Sequence, residues 1–97
     1  MEDSPWSDLR QWLQQTRRRR GLSQEKMAAL IGYTPNYIWR VEKGKRHPSK
    51  AFLQLLGYKM SLTGAEIARL EAFIQMIQDQ HNGFERERER ERGRERR

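Results

Sequence analysis

No cysteine occurs in the 97-residue sequence, which removes disulfides, thiolate metal sites and thiol nucleophiles at once. Histidine is almost as scarce: His47 and His81 lie far apart, and neither belongs to a His-x-x-x-His pair. No segment alternates apolar and polar residues, so strands are not expected. With them goes any glycine-rich phosphate loop that a strand would carry. Nothing is left that suits acid–base, nucleophilic or metal catalysis; no cofactor is expected, and the chain does not read as an enzyme. Apolar residues make up only 35% and charged residues 34%. That suffices for one modest core, in a domain of roughly 60 to 80 residues with appendages. No apolar run approaches the ~20 residues that span a bilayer. The opening MEDSPWSDLR lacks the apolar stretch of a secretory signal. A cytoplasmic protein without a membrane partner is the expectation.

What is abundant is positive charge, +7 overall, and it is unevenly placed. Residues 10–50 hold eleven Lys and Arg against two Glu, a local balance of +9. Residues 63–80 are acidic, with Arg69 set against Glu66, Glu71 and Asp79. The tail from 85 to 97 nearly neutralises itself with seven Arg and five Glu. Cationic charge confined to one part of the folded region suits a polyanionic partner, although a well-solvated basic surface has the same signature.

The pattern throughout is helical, and the fold class is all-α. Ser4-Pro5 forms a helix start, Ser4 capping and Pro5 taking the first helical position, where its missing N–H costs nothing. Trp6, Leu9, Leu13 and Thr16 then recur at helical spacing to about Arg19. Ser23 caps a second helix over 24–31, with Met27, Ala28, Leu30 and Ile31 as its apolar face. Gly32 breaks it. Thr34-Pro35 opens a third helix to about Lys43, with Ile38 and Val41 inward, and Gly44 is placed to close it in the left-handed conformation. Ser49 caps a fourth helix carrying Phe52, Leu53, Leu55 and Leu56, expected to end near Gly57. Thr63 and Glu66 form a capping box for a last helix bearing Ile67, Leu70, Phe73, Ile74 and Ile77. Three segments result: 1–62 as the main domain, 63–83 as a C-terminal helix, and 84–97 as an Arg/Glu-rich tail. In the tail, Glu-Arg alternation puts opposite charges at i,i+3 but like charges at i,i+4, so helical pairing partly cancels. No apolar residue follows Phe84, and the tail is expected to be disordered or a frayed helix extension.

Two short helices joined by a tight glycine turn in a basic segment are the outline of a helix-turn-helix. The run GLSQEKMAALIGYTPNYIWRVEKGKRHPS over 21–49 adds detail. Ser23-Gln24 opens the second helix, Met27-Ala28 follows, Gly32 stands at the turn and Thr34 precedes the third helix. Ile38, Val41-Glu42, Gly44 and Pro48 complete the series without an insertion. This run resembles the lambda-repressor-like, Cro/Xre-type helix-turn-helix family over roughly residues 6–62. The resemblance implies a four-to-five-helix DNA-binding domain, here with an extra C-terminal helix, and an internal ion pair between Arg17 and Glu42.

It also implies a double-stranded DNA partner, read in the major groove by the third helix. Gln24, at the amino end of the second helix, would hydrogen-bond a phosphate. Pro35, Asn36, Tyr37 and Arg40 would face base edges, Asn36 suiting adenine and Arg40 suiting guanine O6/N7. Pro35 departs from the polar residue frequent at its position and offers only packing against a methyl. Thr34 suits a phosphate or a thymine methyl. Trp39 is bulky for its position, and both core packing and contact with the DNA beside Arg40 remain open. Lys43, Lys45 and Arg46 would straddle the backbone, adding affinity and salt dependence. Arg18, Arg19 and Arg20 fit that role or a solvated helix end equally.

Ile67, Leu70, Ile74 and Ile77 are spaced as in a heptad seam. They suit homodimerisation, which operator readers commonly use, or ordinary packing on the first helix. The function that follows is a sequence-specific transcriptional regulator acting as a dimer, a repressor or autoregulator by steric exclusion. The alternative is a protein-interaction module, such as an antitoxin whose last helix binds a toxin, with DNA binding secondary. RNA binding through the tail is a weaker third reading, because five interleaved Glu reduce its field.

Overall fold

A computed structural model describes the backbone of residues 4–95 and the side chains of residues 4–80. Five helices follow one another: α1 (Pro5–Arg19), α2 (Gln24–Ile31), α3 (Pro35–Glu42), α4 (Lys50–Lys59) and α5 (Gly64–Glu95). No strand occurs among the described residues, as the all-α pattern requires.

Each helix start is set by a hydroxyl. Ser4, Ser23, Thr34 and Ser49 are extended N-caps whose side-chain oxygens accept from Ser7, Lys26, Tyr37 and Phe52 N–H respectively. Every such bond satisfies a backbone donor that the first turn leaves without a partner, typically worth ~1 kcal/mol. The capping box of α5 forms in both directions: Glu66 N–H donates to Thr63 Oγ1 at 3.2 Å, and Thr63 N–H donates to Glu66 Oε1 at 2.9 Å. At the other ends, Gly32 (φ +91°) and Gly44 (φ +74°) occupy the left-handed region, where a β-carbon is penalised. Gly32 N–H and Tyr33 N–H both return to Ala28 O, turning the chain sharply from α2 into α3.

One core joins all five helices. Leu9, Trp12 and Leu13 of α1 meet Met27, Ala28 and Ile31 of α2 and Ile38 and Val41 of α3. Phe52, Leu53 and Leu56 of α4, Met60, and Leu70 and Phe73 of α5 complete it. The α2–α3 pair packs closely, and α5 lies against both α1 and α4. Trp12 meets Phe73 with ring centroids 5.7 Å apart, so α5 is part of this core rather than an appendage to it.

One sequence expectation changes. Gly57 does not end α4, which continues to Lys59. A β-carbon at Gly57 would lie 2.9 Å from Leu70 Cδ2, so this glycine admits α5 close to α4. A glycine within a helix and a glycine stop look alike in sequence; only the opposing Leu70 tells them apart. The α5 backbone runs to Glu95, which takes in the segment expected to be disordered or a frayed helix extension.

Candidate nucleic-acid interface

The geometry of α3 follows from how it is anchored. Ile38 and Val41 are almost wholly buried, and Glu42 joins them. A carboxylate in that position needs partners, and it has three donors. Arg17 Nε donates to Glu42 Oε2 at 2.6 Å and Arg17 Nη2 to Glu42 Oε1 at 2.9 Å, a bidentate fork. Gln24 Nε2 donates to Oε1 at 3.0 Å. Arg17 also donates from Nη1 to Leu22 O at 2.9 Å, closing the loop between α1 and α2. Hydrogen bonding to Glu42 raises the Arg17 pKa further, against the lowering effect of burial. The pair ties α1, α2 and α3 at one point. No buried side-chain nitrogen or oxygen among the described residues lacks a partner.

With its inner face fixed in this way, α3 turns Pro35, Asn36, Trp39 and Arg40 outward, all exposed. Trp39 keeps 40% of its surface open, so core packing does not absorb it. Thr34 is exposed at the amino end of α3, with its Oγ1 engaged as the N-cap. Lys43, Lys45 and Arg46 follow as an exposed cationic run. They have no ion-pair partner among the described residues, where the salt bridges are those of Arg17, Arg19 and Arg20. The outcome is a donor-rich edge along α3 and the loop after it, with the Glu42 carboxylate engaged by Arg17 and Gln24 underneath.

Three expected site residues sit differently from the sequence-based picture. Tyr37 is half-buried: its ring packs against Tyr33 and Phe52 at centroid distances of 4.7 and 5.0 Å, and its phenol oxygen accepts from Ser49 N–H at 3.1 Å. The aromatic trio draws it toward α4, and Arg46 lies 5.1 Å above its ring. Tyr37 thus braces the loop after α3, away from the outward row. Gln24 reaches the interior as well as the surface, with one amide N–H spent on Glu42 and the second available. Leu70 is 4% exposed and is used within the chain, where Gly57 admits it.

The rest of the anticipated dimer seam divides. Ile74 and Ile77 are partly buried against the core, while Ile67 is open. Ile67 and Ile74 line a shallow apolar groove between α4 and α5 with Gly57 and Tyr58. Tyr58 is among the most exposed large side chains of the protein, and Leu55 is open on the same helix. Of the three arginines ending α1, Arg20 is committed to α5: it donates to both oxygens of Glu66 at 2.7 and 2.8 Å and to Ser61 O at 3.0 Å. Those bonds, with the Thr63 backbone, hold the Glu66 carboxyl down from its ordinary 4.5 to about 2. Arg19 approaches the same carboxylate at 3.5 Å, and Arg18 remains exposed.

Among the described residues no group of acidic and histidine side chains is placed to hold a metal ion. No helix there is long and apolar enough to cross a membrane. Neither the curated proteins nor the solved structures yield a match to the chain. A family model described as a helix-turn-helix domain matches residues 8–71, about two thirds of the sequence. That span runs from the first turn of α1 into α5 and includes the whole Arg17–Glu42–Gln24 anchor. The α2–turn–α3 unit, its buried ion pair and this match agree: the chain belongs to the helix-turn-helix domain family and is consistent with its Cro/Xre-type members.

Proposed function

We infer that the protein is a sequence-specific regulator of transcription that places α3 in the major groove of double-stranded DNA. The observation that carries this is the outward row of Pro35, Asn36, Trp39 and Arg40 on a helix whose other side is locked by Ile38, Val41 and Glu42. Rigid presentation matters because a bidentate base contact tolerates little angular error. In this reading Asn36 and Arg40 read bases, and Pro35 and Trp39 supply apolar contact with methyl or sugar. Thr34, Gln24, Lys43, Lys45 and Arg46 hold the phosphates. Tyr37 contributes indirectly, by fixing the loop that carries the last of these.

Repression fits best, since a domain of this size regulates most simply by covering a promoter. Dimerisation through the groove between α4 and α5 would set two recognition helices about one DNA turn, ~34 Å, apart. Ile67 and Tyr58, rather than Leu70, are the residues that such a contact would use. The same exposed groove also supports a second reading, an antitoxin-like module that docks a protein there while α3 binds its own operator.

Selection of bound duplexes from a random pool tests both levels. An enriched palindrome is the expected result; an enriched single half-site would remove the dimer, and no enrichment would remove sequence reading. Asn36→Ala and Arg40→Ala should each cut discrimination between selected and random duplexes by about 1–3 kcal/mol. Ile67→Glu should lower the solution mass to that of a monomer without unfolding the chain, because Ile67 lies outside the core.

A further inference from the structure

At the amino end of α1, away from the base-reading row, a cleft opens between that helix and the loop joining α3 to α4. Trp6, Arg10, Arg46 and His47 line it, with the hydroxyls of Ser4 and Ser7 at its edge. Trp6 and His47 form one wall as a parallel stack, with centroids 3.9 Å apart and planes 28° from each other. That stack pins an otherwise exposed loop histidine to α1. The Arg10 guanidinium lies against Gly44, just past the carboxyl end of α3. Among the described residues its one hydrogen bond is a long contact from Nη2 to Ser7 Oγ at 3.5 Å, which leaves most of a five-donor fork unspent there.

No carboxylate lines the cleft among the described residues. Asp8, on the same helix, faces the opposite groove beside Arg19 and Arg69, and Glu42 is consumed by Arg17 and Gln24. Among the described residues the Arg10 guanidinium, an imidazole and two hydroxyls therefore gather without an anion to neutralise them, with Arg46 at the border of the cleft, its guanidinium over the Tyr37 ring. Planar forks of this kind match tetrahedral oxyanions in geometry as well as charge.

We propose that this cleft is a phosphate-binding site, with Arg10 and Arg46 as the charged donors and His47 held in place by Trp6. Its position, continuous with Lys45 and Arg46, makes a DNA backbone phosphate the fitting occupant, and that assignment rests on the DNA-binding reading above. A free phosphorylated ligand offers the same chemistry, and from this cleft it would bear on the end of α3. Either way the contact comes from α1, outside the α2–turn–α3 unit.

Salt titration of random-duplex binding by the full chain, comparing wild type with Arg10→Gln, is the first arm of the test. The slope of log affinity against log salt should become less negative by about 0.9 for the lost phosphate. Affinity at low salt should fall roughly tenfold, alike on selected and random duplexes. Arg10→Lys, which keeps the charge, should retain most of the slope, and thermal melts of both variants check the fold. In the second arm, inorganic phosphate is added to DNA-free protein while the Arg10 Nε and His47 ring resonances are followed. Saturable shifts that Arg10→Gln abolishes, with an unchanged salt slope, would assign the site to a free phosphate ligand. An unchanged slope together with no saturable shift overturns the proposal. If wild type binds no duplex, the DNA reading fails, and the phosphate arm still decides the site.

Discussion

Two arginines near the end of α1, Arg17 and Arg20, each grip a glutamate from another helix, and the two grips differ in kind. Arg17 and Glu42 are buried, with side-chain exposures of 11% and 3%, and everything around them is satisfied. Arg20 and Glu66 sit nearer solvent at 24% and 11%, and Glu66 serves at the same time as the capping residue of α5. The first pair fixes the helix that would meet DNA. The second attaches α5, which already has the Trp12–Phe73 contact to hold it. Burial makes the inner pair expensive to break and of little net benefit compared with a well-packed apolar replacement. Its worth is in placement: it orients Gln24 and sets the rotation of α3. The outer pair contributes a small amount of stability and has a dependence on acid.

The widest gap between the pairs should appear when one partner is removed. Glu42→Ala leaves Arg17 buried without a counter-charge and should cost about 3–5 kcal/mol. In a domain of this size that lowers the melting temperature by roughly 15 °C or more. A loss below ~1 kcal/mol in denaturant melts would mean that water reaches the pair and that the contrast drawn here is false. The double replacement Arg17→Met with Glu42→Leu should recover stability to within about 1–2 kcal/mol of wild type. DNA affinity should stay depressed, since Gln24 then has no acceptor; recovery of both would show the pair to be purely structural.

Glu66→Gln should have the smallest effect, about 0.5–1 kcal/mol at neutral pH, because glutamine can still accept from Thr63 N–H. Its signature is the pH profile. A carboxyl held down near 2 stabilises the fold above its ordinary 4.5, and that contribution is lost as pH falls from 4.5 toward 2. Denaturant melts along that range should show wild type converging on Glu66→Gln. Parallel profiles would remove the Arg20–Glu66 bond from the stability of α5.

The sequence disclosed most of the inner region and less of the outer one. Hydroxyl caps, Gly32, Gly44 and the 3.6-residue rhythm are local signals, and the helix starts they mark agree with the structure. Arg17 and Glu42 came through family resemblance and are joined as expected. What stayed hidden depends on which element lies opposite. The apolar stripe of α5 suited either a second copy or packing on α1, and only the structure sets Leu70 against Gly57 of α4. Tyr37 falls among outward positions by number, but Tyr33 and Phe52 pull its ring inward. The Trp6–His47 stack joins the start of α1 to the loop after α3, a pairing that no periodicity encodes.

The division of labour along α3 has an evolutionary consequence. Residues 38, 41 and 42 face inward while 35, 36, 39 and 40 face outward, so on the proposed DNA-reading role stability and specificity would be written on separate letters of the same eight-residue helix. A library randomised at the outward four should yield mostly folded clones with diverging operators. On that reading, lineages that duplicate such a gene could retarget it in single steps, without first passing through an unstable intermediate.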